Sequence, residues 1–122
     1  MDEFFARTVN LCELDLSKEL FIKAFVNIFI PINSTLELIK ALKKNYKITL
    51  LSNTCEWHFN YEIKKLEIVE LFDTDTLSHK VKTMKPDRNN YEDCLTKLTL
   101  HLLNVFILKT LRKIRIRQQK RE

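Results

Sequence analysis

The chain has 122 residues, 45% of them hydrophobic and 30% charged, with a formal net charge of +5. That describes one small globular domain; it excludes a disordered segment and two sizeable cores. Glycine is absent, which excludes P-loops and dinucleotide fingerprints, because both need backbone that glycine adopts at little cost.

The charge is lopsided. Residues 101–122 hold seven Lys/Arg against one Glu, so the basic character belongs to this tail and the rest is near neutral. Met1-Asp2-Glu3 is acidic where a secretory signal is basic. The longest uncharged stretch, Ala24–Leu36, is broken by Asn27, Pro31 and Asn33, whereas a membrane span needs roughly 20 apolar residues. Cys12, Cys55 and Cys94 are widely spaced and odd in number, so a reduced, cytoplasmic setting is expected rather than a disulfide framework. Cys55 and His58 make an isolated C-x-x-H without a second pair, which reads as packing rather than zinc binding.

In chain order, residues 2–10 read as a short helix. Ser17 opens a stronger one, whose apolar positions Leu20, Phe21, Ala24, Phe25, Ile28 and Phe29 form one buried face; Pro31 ends it. Ser34 and Glu37 have the spacing of a capping box, and the helix they start, about 35–44, buries Leu36, Leu38, Ile39 and Leu42. Lys47–Leu51 is a short β-rich run after a two-residue link, the layout of an α/β unit with a buried parallel strand. Ser52-Asn53-Thr54 breaks it at the carboxyl end, where open α/β sheets bind ligands. Residues 56–70 read as helix, with Phe59, Ile63 and Leu66 inward and Trp57 packing. Thr76-Leu77-Ser78 and Val81 suggest a second strand. Met84–Asp87 is a loop in which Pro86 holds Lys85 extended, and a last helix runs over 89–98. His58 and His79 read as surface or packing residues.

Two fragments carry the chemistry. One is the hydrophobic strand ending in Ser52 and Asn53; the other is Lys85-Pro86, a preset ammonium just before a helix. A strand-end hydroxyl with its neighbouring amides holds phosphate oxygens, and the ammonium neutralises charge that builds in a transition state. Together, over roughly residues 14–98, these fragments resemble the haloacid-dehalogenase-like hydrolase superfamily, especially its phosphatase and dehalogenase-like members. Ile48–Thr54 looks like its second motif, and Leu71–Asp87 like the approach to its third.

The resemblance implies an α/β fold: a partial Rossmann-like core, a parallel sheet with flanking helices, plus the remnant of a helical cap. Residues 1–30 would be the cap remnant, 31–100 the partial core and 101–122 the basic tail. It implies Ser52 and Asn53 as phosphate- or anion-binding residues and Lys85 as the catalytic, charge-stabilising residue. The substrate would be a small phosphorylated or haloacid-type molecule, hydrolysed through an aspartyl-enzyme intermediate, with Mg2+ in the phosphatases.

The chain departs from the pattern. The first motif, with the nucleophilic aspartate, should precede the cap and is not found. Asp73-Thr74-Asp75-Thr76 imitates it only superficially, with Leu77 in the Thr/Val position. The acidic pair that would hold Mg2+ is not found either, so no metal ligand is assigned. The expectation is a family fragment, truncated at both ends and catalytically inactive. Lys82 stands where relatives often have glycine. From about residue 100 a shifted reading frame permits the missing acidic pair, so 101–122 are expected to be an out-of-frame tail. Two partner expectations follow: self-association through an exposed sheet edge, and, as the alternative function, nucleic-acid or anionic-membrane binding by the tail.

Overall fold

The computed structural model describes residues 1–99 and Ile107. Apart from Ile107, the basic-tail and out-of-frame readings of 101–122 lie outside the described residues. The helices are α1 (Asp2–Leu11), α2 (Lys18–Val26), α3 (Asn33–Lys43), α4 (Glu56–Tyr61), α5 (Ser78–Val81) and α6 (Arg88–Leu98). The strands are β1 (Thr49–Ser52) and β2 (Thr74–Leu77), with 3-10 turns at Ile63–Lys65 and Glu67–Leu71 between them. The fold is α/β. β1 and β2 pair in parallel, with Thr49 beside Thr74 and Ser52 beside Leu77, and helices pack on the sheet. Among the described residues, no helix is long and apolar enough to cross a membrane.

Local chemistry explains where the elements start and stop. The Ser17 hydroxyl accepts from the Leu20 amide at 3.2 Å and caps α2, as the sequence suggests. The helix stops at Val26, short of Pro31, because Asn27 (φ −76°, ψ 57°) turns the chain and the Ile28 amide bonds to Val26 O at 2.8 Å. That is an inverse γ-turn. Ile28 and Phe29 lie beyond the helix and are exposed, Leu20 is exposed as well, and Phe21 and Val26 are the buried residues, so the buried face is smaller than the periodicity predicts.

The Ser34–Glu37 capping box does not form. α3 begins at Asn33, and the amides of Thr35 and Leu36 both bond to Ile32 O, which places Ser34 inside the first turn. Leu38, expected inside, is exposed. The helix expected over 56–70 breaks after Tyr61, because Glu62 (φ −128°, ψ −57°) leaves helical geometry and Leu66 (φ −74°, ψ 122°) is extended. The second strand lies at Thr74–Leu77, so Ser78 opens α5 instead. Asp87 caps α6 by accepting from the Asn89 amide at 2.8 Å.

Two packed regions hold the fold. Phe21, Val26 and Trp57 form one core, with Phe5, Leu16, Ile22, Phe25 and Cys55 against it. Burying each large side chain contributes about 2 kcal/mol, and edge-to-face pairs such as Phe21–Trp57 (6.2 Å) add about 1 kcal/mol. His58 joins α2 to α4: its ring stacks on Phe25 at 4.6 Å, and Nε2 donates to Phe25 O at 3.0 Å. The second region lies where α6 covers the sheet and buries Asn90, Cys94 and Leu98 beside Thr76 and Leu77. Thr76 Oγ1 donates to Asp93 Oδ2 at 2.8 Å, and the Thr49 and Thr74 hydroxyls meet at 2.8 Å. This threonine-rich face is polar, and its hydroxyls are satisfied within it.

Candidate anion-binding site

Because the strands run parallel, their carboxyl ends lie on the same side. Ser52, half-buried, is the last residue of β1 and pairs with Leu77, the last of β2. The chain segments leaving the two strands are therefore neighbours, and side chains tie them together. Thr54 N donates to Ser78 Oγ at 2.9 Å, and Ser78 Oγ donates to Thr54 O at 3.0 Å. The same carbonyl accepts from His79 Nδ1 at 3.1 Å, which fixes the ring tautomer at that nitrogen.

Lys85 reaches this ridge from the loop before α6. Its amide donates to Asn53 Oδ1 at 2.8 Å, while Asn53 Nδ2 donates to Lys85 O at 3.1 Å. Its ammonium donates to Leu51 O at 2.7 Å. Of the three residues the sequence singles out, Asn53 and Lys85 are bonded to each other, and the ammonium lies against Leu51, the residue before Ser52. The loop is fixed at its other end by Asn90, which is fully buried and donates from Nδ2 to Thr83 O at 2.7 Å. The turn into the loop passes through Lys82 at φ 61°, ψ 18°, a left-handed conformation that glycine adopts without strain. The lysine there does not abolish the turn.

The sequence does not reveal the bonds of Ser78 and His79 to Thr54 or the burial of Asn90. Ser78 reads as a strand residue by its neighbours, and no periodicity marks Asn90 as buried.

The aspartates near the sheet are committed elsewhere. Asp73 pairs with Lys43 at 2.7 Å and accepts from the Ile48 amide at 2.8 Å. These bonds, the Lys43 one foremost, hold its carboxyl below the ordinary range. Asp75 pairs with Lys80 at 3.1 Å. Burial pulls the Asp93 carboxyl upward, but hydrogen bonds from Lys97 and Thr76 outweigh it and leave the group below its usual value. Asp87 is the α6 cap. Among the described residues, no three His, Cys, Asp or Glu side chains converge as a metal would require, and a magnesium ion does not fit the donors at the ridge, which are a hydroxyl, an amide and an ammonium. His58 and Cys55 likewise form no metal group; His58 is spent on Phe25. A cleft of about 250 Å³ lies between the start of α1 and α4, lined by Met1, Asp2, Glu56, Trp57, Asn60 and Tyr61, and includes none of the ridge residues.

The ridge therefore offers hydrogen-bond donors and one positive charge beside a strand end, which suits a small anion. The family model described as haloacid dehalogenase-like hydrolase matches residues 12–108, which include β1, β2, the ridge and α6. No curated protein and no solved structure matches the chain.

Proposed function

The chain belongs to the haloacid dehalogenase-like hydrolase family, and from that premise we propose that the carboxyl end of β1 binds the anionic group of a small phosphorylated or haloacid-type substrate. Ser52 donates its hydroxyl to an anion oxygen, Asn53 completes the turn beside it, and Lys85 neutralises the charge, the role it would have in catalysis. The observation that carries this reading is the Lys85 ammonium, brought across 34 positions of sequence to Leu51 O at 2.7 Å. The chain by itself does not turn such a substrate over. The motif with the attacking aspartate is not found in these 122 residues, and Asp73 and Asp75 are held by Lys43 and Lys80.

Titration of the full chain with inorganic phosphate, followed by amide chemical shifts, tests the site. Shifts centred on Ser52–Thr54 and Lys85 are expected, with affinity falling roughly tenfold in Ser52→Ala and in Lys85→Ala. Absence of saturable binding at low salt overturns the reading. Hydrolysis of p-nitrophenyl phosphate or a haloacid that purifies with the chain and vanishes in Lys85→Ala overturns the claim of inactivity.

A second reading rests on the seven Lys/Arg within 101–122. Such a segment would bind nucleic-acid phosphates or an anionic bilayer, each cation near the surface contributing about 1 kcal/mol. Retention on DNA or on anionic vesicles that weakens with salt and disappears on deleting 101–122 supports it; no retention at low salt removes it.

A further inference from the structure

We propose that Asn53 is a positioning residue, which acts on the bound anion only through Lys85. This rests on the anion-site reading above and refines it. A carboxamide has one acceptor oxygen and one donor nitrogen, and here both are turned onto the backbone of a single residue: Oδ1 takes the Lys85 amide at 2.8 Å and Nδ2 gives to Lys85 O at 3.1 Å. The pair copies the two-bond match of neighbouring strands, with a side chain standing in for one strand. An Asn amide aimed this way has its functional edge on the loop and not on a ligand at the strand end.

The same grip explains how Lys85 is aimed. Its amide and carbonyl are fixed to the residue after Ser52, and its side chain folds back to Leu51 O at 2.7 Å. The ammonium is thus held within the span Leu51–Asn53 at both ends of its own residue. Asn90 holds the loop independently, through Thr83 O at 2.7 Å, so removing Asn53 releases the two backbone bonds of Lys85 without releasing the loop from α6. Preorganisation of this kind strengthens binding because the ordering of the long side chain is completed before the ligand arrives.

Two measurements on the full chain decide the matter. In amide hydrogen exchange, Asn53→Ala accelerates exchange at Lys85 by roughly tenfold or more, while Leu50, Leu51 and the interior of α6 keep their protection. Asn53→Asp keeps the acceptor for the Lys85 amide but sets an oxygen against Lys85 O where Nδ2 donates, so exchange at Lys85 still accelerates; it serves if the alanine variant folds poorly. In phosphate titrations, Asn53→Ala weakens affinity several-fold in the wild-type background and not at all in Lys85→Ala, the non-additivity of residues that act as one unit. Equal weakening in both backgrounds makes Asn53 a direct ligand and overturns the proposal, as does unchanged exchange at Lys85. If phosphate does not bind the wild-type chain, the anion-site reading fails, and the exchange measurement still decides whether Asn53 holds Lys85.

Discussion

The Asp73 carboxylate accepts the Lys43 ammonium at 2.7 Å through one oxygen and the Ile48 amide at 2.8 Å through the other. The Asp73 amide in turn donates to Ile48 O at 2.8 Å, so one residue closes the entry to both strands and ties α3 to the sheet.

This arrangement sets an acid dependence. Asp73 titrates below its ordinary value of 3.8 in the folded chain, so the unfolded chain holds that proton more tightly. Its contribution is complete above about pH 4 and is lost as pH falls through the lower folded value. Urea midpoints measured between about pH 2 and pH 5 should show a shallower acid limb in Asp73→Asn than in the wild type. It should not become flat, because Asp2, Glu19 and Asp93 are also held low. Parallel limbs in the two proteins contradict the assignment.

Lys82 is left-handed, at φ 61°, where an L-residue with a Cβ sits at a cost of about 1–2 kcal/mol. Lys82→Gly should therefore stabilise the chain by about 1 kcal/mol, net of glycine's greater freedom when unfolded. The readout is a raised urea midpoint with an unchanged slope.

Ser78 is buried, and its hydroxyl both accepts from and donates to the backbone of Thr54. Ser78→Ala leaves a polar group beside it unpaired and should cost about 1–3 kcal/mol. A thermal melt compares it with Ser78→Thr, which keeps the hydroxyl and should lose less.

Cys94 lies on the buried face of α6, and that burial pushes its thiol above its usual value. Cys12 is exposed. Because thiolate is the reacting form, a disulfide reagent at neutral pH should label Cys12 first, and Cys94 only on unfolding. Rapid labelling of Cys94 in the native chain contradicts the packing described.

Among the described residues the sheet has two strands of four residues. An outer edge of β1 without a neighbour is a template for pairing with another copy. Sedimentation should show a weight-average mass rising with concentration; a constant monomer mass rules this out.

The legible features were those fixed by local chemistry. The hydroxyl of Ser17 is a cap in sequence and in structure, and the run Lys47–Leu51 is legible as a parallel strand from its shortness and its place two residues after a helix, the strand itself running Thr49–Ser52. The Lys85 loop was legible because Pro86 restricts the residue before it. What was not legible depended on partners distant in sequence. Ser34 has the spacing of a capping box, yet Ile32 supplies the carbonyl that starts α3. Leu20, Ile28 and Phe29 fit the helical period, but Asn27 bends the chain after Val26 and only Phe21 and Val26 are buried. Nothing in the neighbourhood of Asn53 reveals that its amide bonds the backbone of Lys85, 32 positions away.

Three turns, at Glu13, Lys82 and Thr99, are left-handed although none is glycine. Residues with a Cβ visit that region seldom in the unfolded chain, so these bends do not seed the native topology. Relieving the bend at Lys82 should slow unfolding and leave the folding rate almost unchanged, the kinetic signature of an interaction absent from the transition state.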